Sequence, residues 1–156
     1  MQLKSLLIVG LASLAAPALA AQHVASHADH AAPADVLARS SAPAGARLYI
    51  ISPVDGATVT SPVTVRFGLA GMGVAPSGVA KANTGHHHLL IDVEALPPGN
   101  MPIPSDAKHL HFGGGQTETV LTLTPGTHTL QLDLADAHHM QFAPPLVSPK
   151  ITIHVK

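Results

Sequence analysis

Val63, Val65, Phe67 and Leu69 alternate with Thr64, Arg66 and Gly68. This period of two marks a half-buried β-strand, because successive side chains leave opposite faces of a pleated chain. The same alternation runs through Leu130, Leu132 and Leu134 around Gln131 and Asp133, and through Ile151, Ile153 and Val155 around Thr152 and His154. Shorter apolar runs at 48–51, 86–91, 110–112 and 119–123 supply four more strands. Between them lies turn chemistry, as in Pro53-Val54-Asp55-Gly56 and Thr124-Pro125-Gly126-Thr127, with Pro presetting φ and Gly admitting positive φ. No segment carries the 3.6-residue apolar period of an amphipathic helix. Seven short strands at this spacing predict an all-β fold, a single antiparallel β-sandwich of immunoglobulin-like arrangement. Its expected core is Val65, Phe67, Leu89, Ile91, Leu110, Phe112, Leu130, Leu132, Ile151 and Ile153. The Trp and Cys pair of immunoglobulin cores are absent, so strand count and spacing carry this expectation.

The start of the chain has a different pattern. Lys4 precedes an apolar run over 5–16, and Ala18-Leu19-Ala20 completes the grammar of a cleavable export signal over 1–20. The apolar run is too short for a comfortable membrane span, and no later segment is long and apolar enough for one. Residues 21–46 are rich in Ala, Ser, Pro and His without an apolar period and are expected to form a flexible tether. Residues 47–156 have the length of one ordinary domain. Together these features predict a periplasmic or secreted bacterial protein without a transmembrane span in its mature form.

Composition narrows the chemistry. The chain has no cysteine, which excludes disulfides, thiolate zinc sites and blue-copper centres. The formal charge is −1, with no basic stripe and no aromatic residues interleaved with Lys or Arg, so nucleic acid is not an expected partner. The chain has no Trp and only one Tyr, which argues against a sugar-binding face.

Twelve histidines remain, and they are clustered. Imidazole is the commonest protein ligand for zinc, copper and nickel, and it titrates near neutrality. In His86-His87-His88-Leu89-Leu90-Ile91, alternation assigns His87 to the core face and sends His86 and His88 outward together. In His109-Leu110-His111-Phe112, Leu110 and Phe112 mark the core and leave His109 and His111 on the other face. Each His-x-His sets two imidazoles about 7 Å apart at Cα on one face. His86, His88, His109 and His111 are therefore the principal candidate ligands for copper or zinc. The loops over 71–85 and 96–107 are unusually long for a sandwich, and both lead into these histidines.

The other histidines are secondary candidates or have simpler roles. His138 and His139 follow Asp136, which either orients an imidazole or caps a turn. Cleavage after Ala20 would leave Ala21-Gln22-His23, whose amine, amides and His23 imidazole form a square-planar set for Cu(II) or Ni(II). His128 is expected as a buried neutral imidazole bonded to backbone, and His154 as solvated. Glu118, after the Gly113-Gly114-Gly115 turn, is expected to be a solvated strand carboxylate.

The segments 85–92, Pro102-Ile103-Pro104, 109–118 and 125–130 resemble an exported bacterial family catalogued only as a domain of unknown function. The resemblance covers most of 47–156 and implies a small periplasmic domain without an assigned activity. There is a fainter similarity to periplasmic copper-carrier sandwiches, which hold Cu(II) through an N-terminal His, an Asp and an internal His. Here His23 would not be the first residue, and the Asp136–His138 spacing departs from that pattern.

The sequence is compatible with three functions. The first is binding or handling of a divalent transition metal, copper or zinc. The second is a non-catalytic cell-envelope interaction module with a pH-sensitive histidine surface, its partner another periplasmic or envelope protein. The third, an enzyme, has no reaction-specific motif behind it and is not expected.

Overall fold

The structure, a computed structural model, describes residues 39–156. The export signal over 1–20, His23 and most of the tether lie outside the described residues. There are nine strands: β1 (Arg47–Ser52), β2 (Thr58–Val59), β3 (Val63–Ala70), β4 (Gly73–Val74), β5 (Thr84–Ile91), β6 (His109–His111), β7 (Glu118–Leu121), β8 (Gly126–Ala135) and β9 (Ile151–Val155). No helix occurs among the described residues. All seven expected strands are present, with ends displaced by a few residues. The two-residue β2 and β4 are too short to leave a periodic signature.

The strands form two sheets. One is β1-β3-β7; the other runs β2-β9-β8-β5-β4, with β6 also paired to β5. The sheet faces predicted by alternation close on a shared core of Leu48, Val65, Phe67 and Leu121 from the smaller sheet and Leu89, Ile91, Leu130, Leu132, Leu134, Ile151 and Ile153 from the larger. Burying each such side chain contributes roughly 1.5–3 kcal/mol. Of the expected core only Leu110 stays partly buried, packed at the margin. Two features depart from the expected arrangement. The two-residue β2 and β4 pair in parallel, with β9 and β5 respectively. The three-against-six division also differs from the four-against-three antiparallel sheets of a constant-type immunoglobulin domain.

The last part of the expected tether is not free. Arg39 donates from Nε to Gln141 O at 3.0 Å and from Nη2 to Phe142 O. Ser40 Oγ donates to Asp136 Oδ2 at 2.9 Å, and Ala143 N donates to Ser40 O. Ala42 packs against the core. Low apolar content hid this docking, which rests on polar and backbone contacts. The packed unit therefore includes residues 39–46, upstream of the expected boundary at 47.

Strands β5, β6 and β8 of the larger sheet bring the clustered histidines into register. β5 is central, with β8 on one edge and both β4 and β6 on the other. Registers place His111, His88 and Asp133 in one cross-strand row and His109, Leu90 and Gln131 in the next. Beyond Leu130 the far edge of β8 passes from β9 to residues 141–148, through Leu134 N to Leu146 O and Ser148 N to Leu132 O, both 3.0 Å.

Candidate metal centre

His86 and His88 leave β5 on the side opposite the core, as alternation requires, but they do not reach solvent. Their exposures are 1% and 0%. The pair that alternation sends away from the core is therefore not on the surface, because loops roof this face. Leu90, Ile103 and Met140 are buried yet stand outside the main core cluster. Ile103 N donates to His139 O at 2.8 Å, tying the 92–108 loop to the turn after β8. Ser77, from the loop before β5, lies 3.1 Å from His139 Nε2 through its Oγ, and its own N donates to Gly113 O. The long loops therefore cover the histidines as well as leading into them.

Four imidazoles converge under this roof. His88 Nε2 lies 3.2 Å from His86 Nε2, and His139 Nε2 lies 3.1 Å from His111 Nε2. Ring centroids of His86, His111 and His139 are 4.7–5.0 Å apart, and that of His88 is 4.9–6.1 Å from the three. One ligand atom from each of His86, His111 and His139 lies within 4.8 Å of the others. A tetrahedral ion with nitrogen ligands at 2.0–2.1 Å separates those nitrogens by about 3.3 Å. Both close nitrogen pairs are near that spacing.

Local structure explains how each ring arrives. His111 sits directly across from His88, and Gly113 clears space for it: a Cβ there would meet His111 Cε1 at 2.4 Å. His139 sits in a tight turn with φ of +63°. Asp136 Oδ1 accepts from His138 N and Met140 N, while His139 N donates to Asp136 O. Asp136 is therefore the turn cap, and the left-handed backbone of His139 aims its ring back over β5.

Burial, reinforced by the other imidazoles, lowers His86 from 6.5 to about 4 and His88 to about 3; His111 is lowered for the same reasons. These three rings are accordingly neutral at pH 7, with lone pairs free for a metal. Metal-free, each Nε2···Nε2 contact needs one protonated and one bare nitrogen. A bound ion needs every ligating Nε2 bare, which moves those protons to Nδ1.

The remaining candidates separate from this group. His109 shares a face with His111 but lies one row further along, opposite Leu90, and its Nδ1 is 2.9 Å from Asp106 Oδ1. Of the expected set of His86, His88, His109 and His111, the structure brings His86, His88 and His111 together, adds His139 to them and leaves His109 outside the group. His138 is exposed. His128 makes the expected backbone bond but is half-buried and is paired with a carboxylate as well, which the expectation of a buried neutral ring did not include. It bonds Asp92 Oδ2 at 2.8 Å and Thr124 O at 3.0 Å; both partners are acceptors, and the carboxylate contact raises its pKa. His87 is buried in the core against Phe67, ring centroids 5.2 Å apart, and burial lowers it to about 4. Glu118 stands on β7 of the smaller sheet, not on the sheet that carries the histidines, and accepts from Arg66 Nε at 3.2 Å.

Two residues of this face gave no signal in the sequence. Ser77 sits in a Gly-rich loop without periodicity. Asp133 holds a phase that reads as solvent-facing, yet it is 0% exposed. Burial pushes its carboxyl up to about 6, and Gln141 Nε2 donates to its Oδ2.

The profile of a known protein family, a domain of unknown function designated DUF4399, matches residues 65–156. The chain belongs to that family. All four converging histidines, Ser77 and Asp133 lie inside the DUF4399 match. No curated protein and no solved structure matches the chain.

Proposed function

We propose that this DUF4399 domain binds or handles a divalent transition metal, zinc or copper, through His86, His111 and His139 with His88 as a fourth imidazole, and that it does so in the periplasm. The observation that carries this reading is the convergence of ring nitrogens at 3.1–3.2 Å beneath a loop roof. Burying the His86 and His88 imidazoles is costly unless their nitrogens find partners, and an ion shared with the half-buried His111 and His139 would satisfy one nitrogen of each ring. Imidazole-only spheres suit zinc and copper over calcium or magnesium. A near-tetrahedral set favours zinc, while a planar rearrangement would favour Cu(II).

The alternative, an interaction module with a pH-sensitive histidine surface, loses support because His86 and His88 are not on a surface. The test is calorimetric titration of tag-free, metal-stripped protein with Zn(II) and Cu(II). A His23→Ala variant, run in parallel, removes the N-terminal Cu(II) candidate. Saturable binding that survives His23→Ala and disappears in His86→Ala/His111→Ala is expected. A flat titration with both metals would overturn the reading.

A further inference from the structure

Among the described residues, only four buried side-chain polar atoms have no hydrogen-bond partner: both ring nitrogens of His87, His88 Nδ1 and Asp133 Oδ1. The His87 ring sits in the apolar core against Phe67. The other two orphans belong to one pair. His88 and Asp133 are direct cross-strand partners of β5 and β8, so both leave the outer face of the sheet, with Cβ atoms about 4.5–5.5 Å apart.

Each residue is already held by its other polar atom. His88 points Nε2 into the cluster, 3.2 Å from His86 Nε2. Asp133 anchors Oδ2 on Gln141 Nε2, which leaves Oδ1 free on a carboxylate fixed in position. Both residues are 0% exposed, so bulk water does not serve the free atoms.

We infer that Asp133 is the positioning residue of the metal centre, accepting the Nδ1 proton of His88 through Oδ1 when His88 Nε2 takes up the ion. This rests on the metal reading and deepens it. An ion on Nε2 obliges a neutral His88 to carry its proton on Nδ1, and a buried N–H without an acceptor is expensive. Cross-strand pairing sets the two orphans on neighbouring side chains of one face, so a His88 Nδ1–H to Asp133 Oδ1 bond would remove both penalties. It also fixes the His88 tautomer and raises its donor strength, as carboxylates behind metal-bound histidines do. Asp136, the nearest sequence candidate for such a role, has both oxygens occupied by its turn and by Ser40.

The test uses full-length, tag-free protein, Zn(II) as the only added metal, and histidine side-chain ¹⁵N–¹H spectra alongside zinc affinity. In zinc-loaded wild type, His88 Nδ1 should carry a slowly exchanging, strongly downfield proton. Asp133→Asn should move that resonance and weaken zinc binding roughly 10- to 100-fold. If the variant does not fold, the wild-type spectrum decides: a His88 Nδ1 that is bare or rapidly exchanging overturns the inference. Zinc bound as tightly by Asp133→Asn, with the His88 resonance unmoved, overturns it while leaving the metal reading intact. Wild-type protein that takes up no zinc overturns both.

Discussion

The two sheets present outer faces with the same alternation in sequence and opposite fates in the fold. On the smaller sheet Tyr49, Ile51 and Val120 are 43%, 52% and 63% exposed, and Arg66 and Glu118 pair in solvent. On the larger sheet the corresponding face holds His86, His88 and Asp133 at 0–1% exposure. Ordinary burial would favour the reverse, with apolar groups covered and polar groups wet. The larger sheet inverts that preference because loops from before β5, after β5 and after β8 meet over it. Apolar side chains left in water cost little, whereas unpartnered buried imidazoles cost more. The roofed face is where stability has been given up, and hence where function is to be sought.

The largest effect expected from breaking this contrast is on metal affinity. His86→Ala with His111→Ala should weaken zinc binding more than 100-fold, since it removes two of the three closest ligands. His109→Ala, one row away and held by Asp106, should leave affinity within about threefold, the near-neutral range of a residue outside the site. Zinc titrations of the two variants check both. Equal losses would favour a site that pairs 86/88 with 109/111.

A second effect concerns stability and has the opposite sign. His88 is fully buried with Nδ1 unpartnered, and its Nε2 is the partner of the buried His86 Nε2. Replacing both rings together, His86→Leu/His88→Leu, should therefore stabilise the metal-free protein, by roughly 1–3 kcal/mol in urea melts, while abolishing the stabilisation that zinc confers. A destabilised double variant would mean the rings are structural members of the roof. Replacing His86 and His88 is therefore not neutral for the fold, as an outward-facing pair would have been, because both side chains are packed.

The third effect is on pH dependence. His86 and His87 are lowered to about 4 and His88 to about 3 from 6.5, so the unfolded chain binds more protons across that interval. Stability of the metal-free protein therefore falls as pH drops from about 6.5 toward about 4. Asp133, raised from 3.8 to about 6, works against this between those values, one carboxyl against three imidazoles. His128 is raised above 6.5. Its contribution is full below 6.5 and is lost as pH rises through its folded value, outside the window. Thermal melts at about pH 7 and about pH 4.5 should show a lower Tm in acid, and no change would contradict the buried, neutral cluster.

The smallest effect lies on the open face. Arg66 and Glu118 side chains are 59% and 62% exposed, so Glu118→Gln should change stability by less than about 1 kcal/mol. A larger loss in a urea melt would mean this face also has a cover.

Alternation along β3, β5, β8 and β9 was enough to assign the strands and nearly all of the core, because one face of each is plainly apolar. It also put His86, His88, His109 and His111 on a common side. It does not distinguish a face turned outward from a face covered by loops, since both carry polar residues. For the same reason Asp133 reads as a solvated charge until the His88 register is known. His139 depends on one left-handed residue in a five-residue turn, and the only trace of it in sequence is Asp136 followed by two histidines. His109 differs from His111 by one cross-strand row, which pairing fixes and spacing does not. The docking of residues 39–46 is a matter of backbone acceptors at 141–142, invisible to any apolar pattern.

X-ray absorption at the zinc edge of tag-free protein loaded with one equivalent of Zn(II) tests the shared centre most directly. Three or four imidazole nitrogens at about 2.0 Å, reduced in number by His139→Ala but unchanged by His109→Ala, is the predicted result. A shell dominated by oxygen, or one that keeps all its imidazoles without His139, would contradict a centre built on His86, His111 and His139.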